Sequence, residues 1–346
     1  MSELVTFLVS KGLLVSDDQK SVLESSSKTT QVIPLLHQRI LSVKGLDTEK
    51  FLQGQLTCDV TAVMTRGSSL GAHCNIKGHM ISLFRLIKVS NEEIWMRLSY
   101  DTFDSALANL KKYIVFSKAE AEEITNEVAG VGINGPGAQA LIEKLFGQSP
   151  SEDNGTLKLN NGVVVRVPGE RFEIWMQHSD LVGLLGTLPD EVGFGSTDSW
   201  ILSEVDSGIP DLRADTQEDF IPQMTNLQAL GGVSFTKGCY TGQEIVTRLQ
   251  HRGVLKKPMY LLEAKAGTPP LPGQTISSSS SARVGTIVQA APFSTEESLY
   301  HLLAVINKKA ADEDELKLTE TDSSLKILEL PYQLDPELFS RKEPLV

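Results

Sequence analysis

The chain has 346 residues, of which 40% are hydrophobic and 22% charged. This usage is typical of a globular protein of about two or three domains. Three widely spaced cysteines argue against a disulfide framework and favour a reducing compartment. The N-terminus has no basic leader, and no apolar run approaches the roughly 20 residues that span a bilayer. We therefore expect a cytoplasmic protein without membrane contact.

Four regions follow one another along the chain. Residues 1–30 are polar and Ser-rich, and we expect one helix and a connector there. Residues 31–130 alternate helix and strand signals, with paired strands at 80–89 and 94–98 and a helical stripe from Phe103 to Ile114.

Residues 131–255 repeat this order, with a hairpin of strands at 163–167 and 172–176. Residues 256–346 are mostly strand-like and predict a small β-barrel. The predicted fold class is therefore α+β, with two related αβ subdomains of antiparallel sheets and a C-terminal barrel.

The most informative segment is residues 237–244, which read KGCYTGQE. Thr241 and Glu244 have the spacing of a capping box and predict a helix with Thr241 as its N-cap. Cys239 would lie just before the positive end of that helix, and Lys237 adds a positive charge nearby. Both effects favour the thiolate, so Cys239 is a candidate catalytic thiolate with Lys237 beside it. The alternative is a small buried cysteine at an ordinary loop-to-helix junction.

This segment and its neighbours resemble a known signature. Upstream lie FIPQMTNL at 220–227 and GGVSF at 231–235, and IVTR follows at 245–248. Two further matches are FLQGQLTCDV at 51–60 and NIKG at 75–78. Together they resemble the YgfZ family of bacterial tRNA-modifying proteins and mitochondrial iron–sulfur assembly relatives, itself related to the folate-dependent aminomethyltransferase GcvT.

The resemblance implies a central folate-type cavity and tetrahydrofolate, or a derivative, as the cofactor. In the aminomethyltransferases an acidic residue holds the pterin ring, and Glu173 stands at the matching position. A carboxylate suits that role because it accepts two parallel N–H bonds. Trp175 shares a strand face with Glu173, so we expect it to stack on the ring. The alternative is a solvent-facing glutamate on an edge strand.

The resemblance also places other side chains near the folate. Lys77 could meet the glutamate tail of a folate through its charge. The full set assigned to the cofactor besides Glu173 and Trp175 is Asn75, Lys77, Arg85, Tyr240 and Arg248. No metal site is expected, because His73, Cys74 and His79 lack the paired spacing of zinc ligands.

One departure from the aminomethyltransferases bears on chemistry. Their strand after the Asn-x-x-Gly turn carries an acidic pair that supports catalysis, whereas this chain has Ser82 and Leu83 there. A serine at its ordinary pKa cannot accept protons as a carboxylate does, so aminomethyl transfer is not expected. Folate binding can survive this loss, because orientation and catalysis use different groups.

Two functions from different classes remain. The first is a folate-binding accessory factor, non-catalytic or thiol-dependent, in iron–sulfur cluster assembly or repair. By resemblance it would support the radical enzymes that methylthiolate tRNA. Its partners would be iron–sulfur proteins or their assembly machinery, bound transiently. The alternative is a folate-dependent one-carbon transferase acting on an unknown acceptor, and a third option is a scaffold in which Cys239 only packs.

The formal net charge of −12 speaks against tight, direct binding of tRNA. Any link to tRNA is therefore expected to be indirect.

Overall fold

Hairpins of apolar strands form much of the chain. The structure is a computed structural model and describes residues 2–340. The chain forms two units, called here the first and the second unit. The first unit contains residues 2–51, Val60–Ser69 and Arg85–Trp200. The second contains Leu52–Asp59, Leu70–Phe84 and residues 201–340. Each unit thus combines segments that are far apart in sequence. The four-part division predicted from the sequence stays a prediction.

One sheet of five strands and one of six account for the strands before the barrel. The first runs β3-β4-β5-β2-β6 and the second runs β11-β1-β7-β10-β9-β8. The strands are β1 (Thr30–Pro34), β2 (Gln38–Lys44), β3 (Ser68–Cys74), β4 (Met80–Lys88), β5 (Glu93–Ser99), β6 (Glu120–Glu123), β7 (Val128–Asn134), β8 (Thr156–Leu159), β9 (Gly162–Val167), β10 (Arg171–Gln177) and β11 (Val192–Phe194).

Both predicted hairpins are present in these sheets. Strands β4 and β5 are hydrogen-bonded neighbours in the five-stranded sheet, and β9 and β10 pair antiparallel in the other. Strand β11 joins β1 in parallel. Alternation along β10 sends Phe172 and Ile174 into one apolar cluster of the first unit and Trp175 into another. Because β10 lies between β7 and β9, its side chains project from the interior of the sheet.

The C-terminal strands close into a barrel in the second unit, in the order β12-β15-β14-β13-β16-β17. Its core is apolar and includes Leu262, Ile287 and Leu302. The strands are β12 (Met259–Lys265), β13 (Thr275–Ser278), β14 (Ser281–Ser294), β15 (Leu299–Ile306), β16 (Leu316–Leu318) and β17 (Ser324–Leu328). The predicted α+β class, with antiparallel sheets and a C-terminal barrel, is confirmed.

The helices are short and bury one face each. In the helix over Phe103–Ile114, for example, Phe103, Ala106, Leu110 and Ile114 recur at helical spacing and are buried. The helices are α1 (Glu3–Ser10), α2 (Thr48–Gln53), α3 (Val60–Arg66), α4 (Phe103–Ile114), α5 (Ala138–Phe146), α6 (His178–Leu185), α7 (Thr197–Asp206), α8 (Gln243–Arg252) and α9 (Lys308–Glu313). Over residues 2–340, no helix combines the length and the apolar character needed to cross a membrane.

Candidate functional site

Glu173 lies in the middle of a sheet of the first unit. On β10 it faces Gly132 of β7 on one side and Val165 of β9 on the other. Its side chain is 1% exposed. The alternative of a solvent-facing glutamate on an edge strand is therefore wrong. A buried carboxylate needs partners, because leaving it without them costs several kcal/mol.

The two oxygens of Glu173 are treated differently. Oε2 accepts a hydrogen bond of 2.8 Å from the indole Nε1 of Trp175. Oε1 lies 3.6 Å from Nε of Arg97 and 3.9 Å from Nε of Arg85, which are ion-pair distances. Among residues 2–340, however, no group donates a hydrogen bond to Oε1. Oε1 is thus a buried acceptor that receives no hydrogen bond from the described residues.

Two guanidinium groups compensate the charge of this carboxylate. Arg85 and Arg97 are both buried, and Arg85 also donates a 2.6 Å hydrogen bond to Oδ1 of Asn154. Arg85, which the sequence analysis assigned to the cofactor, therefore lies beside Glu173. Its cofactor role stays a prediction. Arg97 was missed by the sequence analysis. The available signal was its place between Met96 and Leu98 in an apolar strand, because a charged side chain there requires a buried partner.

Trp175 supports the carboxylate of Glu173, and the stacking role expected of it stays a prediction. Its indole N–H orients Glu173, and its ring packs against Gly130, where a Cβ would come within 2.3 Å of the ring. The residue is 1% exposed. It also borders a cavity of about 290 Å³ in the first unit, whose walls include Tyr100 and His178.

Lys237 anchors the signature loop of the second unit. Its ammonium donates hydrogen bonds of 2.7, 2.6 and 2.8 Å to the carbonyl oxygens of Gln53, Leu56 and Cys58. Burial lowers the pKa of Lys237 to about 8, although the nearby Cys58 and Asp59 favour its charged form. The lysine thus ties residues 237–244 to the FLQGQLTCDV motif at 51–60. Its expected effect on Cys239 stays a prediction.

Cys239 is the exposed cysteine of this chain, whereas Cys58 and Cys74 are buried. Burial raises the pKa of each of those two thiols to about 12. Of the three cysteines, Cys239 is therefore the one expected to react with a dissolved reagent, because thiolate character and access together control cysteine chemistry. The alternative of a buried cysteine at position 239 is wrong.

The capping box predicted for the following helix is also wrong. Helix α8 begins at Gln243, and its N-cap is Gly242 in a left-handed conformation, with no side-chain capping bond. The reason is a close approach: a Cβ on Gly242 would lie 2.5 Å from the carbonyl oxygen of Asn75. Only glycine fits this position. Because Gly242 is left-handed rather than helical, the helix starts at Gln243 and Thr241 does not cap it. Cys239 is consequently farther from the helix start than expected.

The NIKG turn therefore packs directly on the signature loop. Asn75 stabilises this turn, because its Oδ1 accepts hydrogen bonds from the backbone N–H groups of Lys77 and His79. Its Nδ2 donates a 2.8 Å bond to Glu218. Lys77 and Arg248 are exposed. Contacts of the described residues give Asn75 a structural task, and its cofactor role stays a prediction, as do those of Lys77 and Arg248.

Tyr240 points inward beside Lys237, whose Nζ lies 5.0 Å from the centre of the tyrosine ring. It is 6% exposed, and burial raises the pKa of its hydroxyl. That hydroxyl has no hydrogen-bond partner within residues 2–340. The predicted contact of Tyr240 with the cofactor stays a prediction.

The positions of the missing acidic pair lie on β4. Ser82 is fully buried, and its hydroxyl has no partner among the described residues. Leu83 belongs to the apolar core of the second unit. Burial lowers the pKa of His73 on β3 to about 4, so this imidazole stays neutral at physiological pH. In the described part of the chain, no three His, Cys, Asp or Glu side chains are grouped to hold a metal.

Three comparisons with known proteins bear on these sites. Residues 25–168 match the family model of the GCVT N-terminal domain. The chain is 32% identical to the tRNA-modifying protein YgfZ of Yersinia enterocolitica, over 90% of this chain and 96% of that protein. It is 33% identical to the tRNA-modifying protein YgfZ of Pectobacterium carotovorum, over 90% and 94% of the two chains.

Among solved structures, the aminomethyltransferase T of the glycine cleavage system from Bartonella henselae shares the fold. The TM-score is 0.68 at 14% identity, over 91% of this chain and 88% of that one. At this identity the likeness concerns the fold alone.

Proposed function

The chain belongs to the YgfZ family of tRNA-modifying proteins, and on that premise we propose that it binds tetrahydrofolate or a derivative and acts as an accessory factor for iron–sulfur proteins. The iron–sulfur enzymes it supports include the radical enzymes that methylthiolate tRNA. The observation that carries the folate part is the carboxylate of Glu173, buried, oriented by Trp175 and with Oε1 lacking a hydrogen-bond donor among residues 2–340.

A folate fits this carboxylate chemically. The amino and ring N–H groups of a pterin donate two parallel hydrogen bonds, and Oε1 of Glu173 has acceptor capacity left for one of them. Trp175 would fix the carboxylate for that contact. When bound, the folate would supply a carrier for a one-carbon unit.

The residues do not favour the transferase alternative. Transfer from a folate nitrogen needs a proton acceptor, and the two matching positions carry Ser82 and Leu83, both buried in β4. We therefore propose binding of the folate without turnover by this chain alone.

Cys239 is the group proposed to face the iron–sulfur partner. It is exposed on a loop that Lys237 fixes through three hydrogen bonds to backbone carbonyls. Iron–sulfur clusters are held by four ligands, so a single thiolate supports transient contact or redox exchange rather than residence of a cluster. This proposal keeps the partner external to the chain.

A complementation experiment tests this function. Cells lacking the gene would receive the wild-type chain, Glu173→Gln or Cys239→Ser, with protein levels checked by immunoblot. We expect deletion to lower both methylthio-modified adenosine in tRNA and the activity of an iron–sulfur dehydratase, and expect neither variant to restore them. A deletion that changes neither readout would refute the iron–sulfur role. Full rescue by Cys239→Ser would show that the iron–sulfur role does not need the thiol of Cys239.

A further inference from the structure

The tetrapeptide Glu-Ile-Trp-Met occurs twice in the first unit, at residues 93–96 and 173–176. The first copy opens β5 and the second lies within β10. In each copy the indole N–H bonds the carboxylate two residues earlier: Trp95 to Glu93 at 2.9 Å and Trp175 to Glu173 at 2.8 Å. Glu93 and Trp95 thus repeat the carboxylate–indole pair of the proposed folate site.

The charges around the two pairs differ. Arg85 and Arg97 lie within ion-pair distance of Glu173. Among residues 2–340, no cationic side chain forms an ion pair with Glu93. Its Oε1 instead accepts a 2.9 Å bond from the hydroxyl of Ser42, in addition to the bond from Trp95. Lys44 stands directly opposite Glu93 on β2 without forming an ion pair with it.

Glu93 and Trp95 border a cavity of about 410 Å³, which is large enough for a small organic ligand. Along the sheet, Trp95 of β5, Ser42 of β2 and Glu122 of β6 stand directly opposite one another. Because the side chain of Ser42 is small, it leaves room between the indole of Trp95 and the carboxylate of Glu122. The charged side chains around the cavity are Lys44, Glu93, Glu122, Glu127 and Lys158.

The cavity is therefore lined by more negative than positive charge. Within the described residues, none of its five charged side chains is engaged in an ion pair. A cation placed here gains the attraction of the carboxylates, and an indole beside them adds cation–π attraction.

We propose that this cavity binds a small cationic ligand of the guanidinium type. A guanidinium is planar, offers adjacent N–H donors to the Glu93 carboxylate and carries the charge that the surrounding carboxylates favour. An alkylammonium has the charge without the plane, and a urea has the plane without the charge. This inference stands apart from the proposed folate site, because it rests on Glu93, Trp95 and the cavity beside them.

Fluorine NMR of 5-fluorotryptophan-labelled protein tests the proposal directly. The chain has three tryptophans, so three resonances are assigned with the variants Trp95→Phe, Trp175→Phe and Trp200→Phe. The probe is N-acetyl-arginine amide, and the controls are the corresponding citrulline and lysine amides. We expect a saturable shift of the Trp95 resonance with the arginine probe, and binding weaker by about tenfold or more with either control.

Glu93→Gln should weaken binding of the arginine probe by about tenfold or more, since a charge-assisted contact is lost. The matched control Glu173→Gln, in the other copy of the tetrapeptide, should leave that binding unchanged. Glu122→Gln, at an exposed position of the same cavity, should weaken it as well, which covers the case that Glu93→Gln does not fold. A Trp95 resonance that does not move, or that moves equally with citrulline amide, would overturn the proposal.

Discussion

At the residue scale, Glu173 shows what the sequence can and cannot reveal. The resemblance to the aminomethyltransferases pointed to this acid, and the structure buries it on β10. Its neighbours Arg85 and Arg97 come from a different hairpin, so spacing along the chain does not show that they converge on one oxygen. Trp175 was predicted beside Glu173, but its hydrogen bond to that residue depends on a rotamer that a pattern does not specify.

The exposure of Cys239 gives a prediction at this scale. In the native protein, a thiol reagent should modify one of the chain's three cysteines, because Cys58 and Cys74 are buried with thiol pKa values of about 12. Intact-mass spectrometry would count the adducts, with Cys239→Ser as the control that should take none until urea is added. Labelling of Cys58 or Cys74 under native conditions would contradict the burial described here.

Lys237→Met should destabilise the second unit by about 1–3 kcal/mol, because the methionine keeps the stem but leaves three carbonyls without their donor. Urea unfolding at pH 7 measures this, with the exposed Lys77→Met as the matched control expected to have little effect. Equal loss in both variants would show that the three bonds contribute nothing specific.

The pH dependence of that difference has a definite sign. The pKa of Lys237 is lowered to about 8 in the folded chain from an ordinary 10.5. Between these values the unfolded chain binds more protons at this site, so the stability of wild type relative to Lys237→Met should rise with pH. Unfolding free energies of both proteins between pH 7 and about pH 10 would test this. A difference that falls with pH would contradict the assigned cause, which is burial of the ammonium.

At the element scale, the hairpins and the barrel were predictable because alternating or continuous apolar runs are bounded by turn residues. The start of α8 was not, because a tertiary contact overrides the local pattern. Thr241 and Glu244 carry the capping-box spacing, yet Gly242 takes the N-cap so that the loop can meet Asn75. Only the folded structure brings residues 75 and 242 together.

Gly242→Ala tests this contact between the turn and the helix start. Gly147 offers a matched control: its φ is +79°, against +82° for Gly242, but a Cβ there would meet no atom of residues 2–340 within 4 Å beyond its chain neighbours. Gly147→Ala should cost about 1–2 kcal/mol for the left-handed backbone alone. Gly242→Ala should cost about 1–3 kcal/mol more, because its Cβ would clash with Asn75. Equal losses on urea unfolding would show that the close approach is not tight.

At the scale of the whole molecule, the sequence predicted the α+β class and the family, and both are confirmed. Long, ordered motifs made this possible. The composition of the two units was not predictable, since residues 52–59 and 70–84 belong with residues 201–340. Lys237 shows why: its partners are backbone carbonyls, which carry no side-chain signature in the sequence.

The central claim is that Glu173 holds a folate, and titration calorimetry of tetrahydrofolate under anaerobic conditions tests it most directly. We predict saturable binding to the wild-type chain, weakened by about tenfold or more in Glu173→Gln through loss of a charge-assisted contact. Glu93→Gln, the same change in the other Glu-Ile-Trp-Met copy, should bind as wild type does. Absence of binding to the wild-type chain, or equal affinity in Glu173→Gln, would contradict the account.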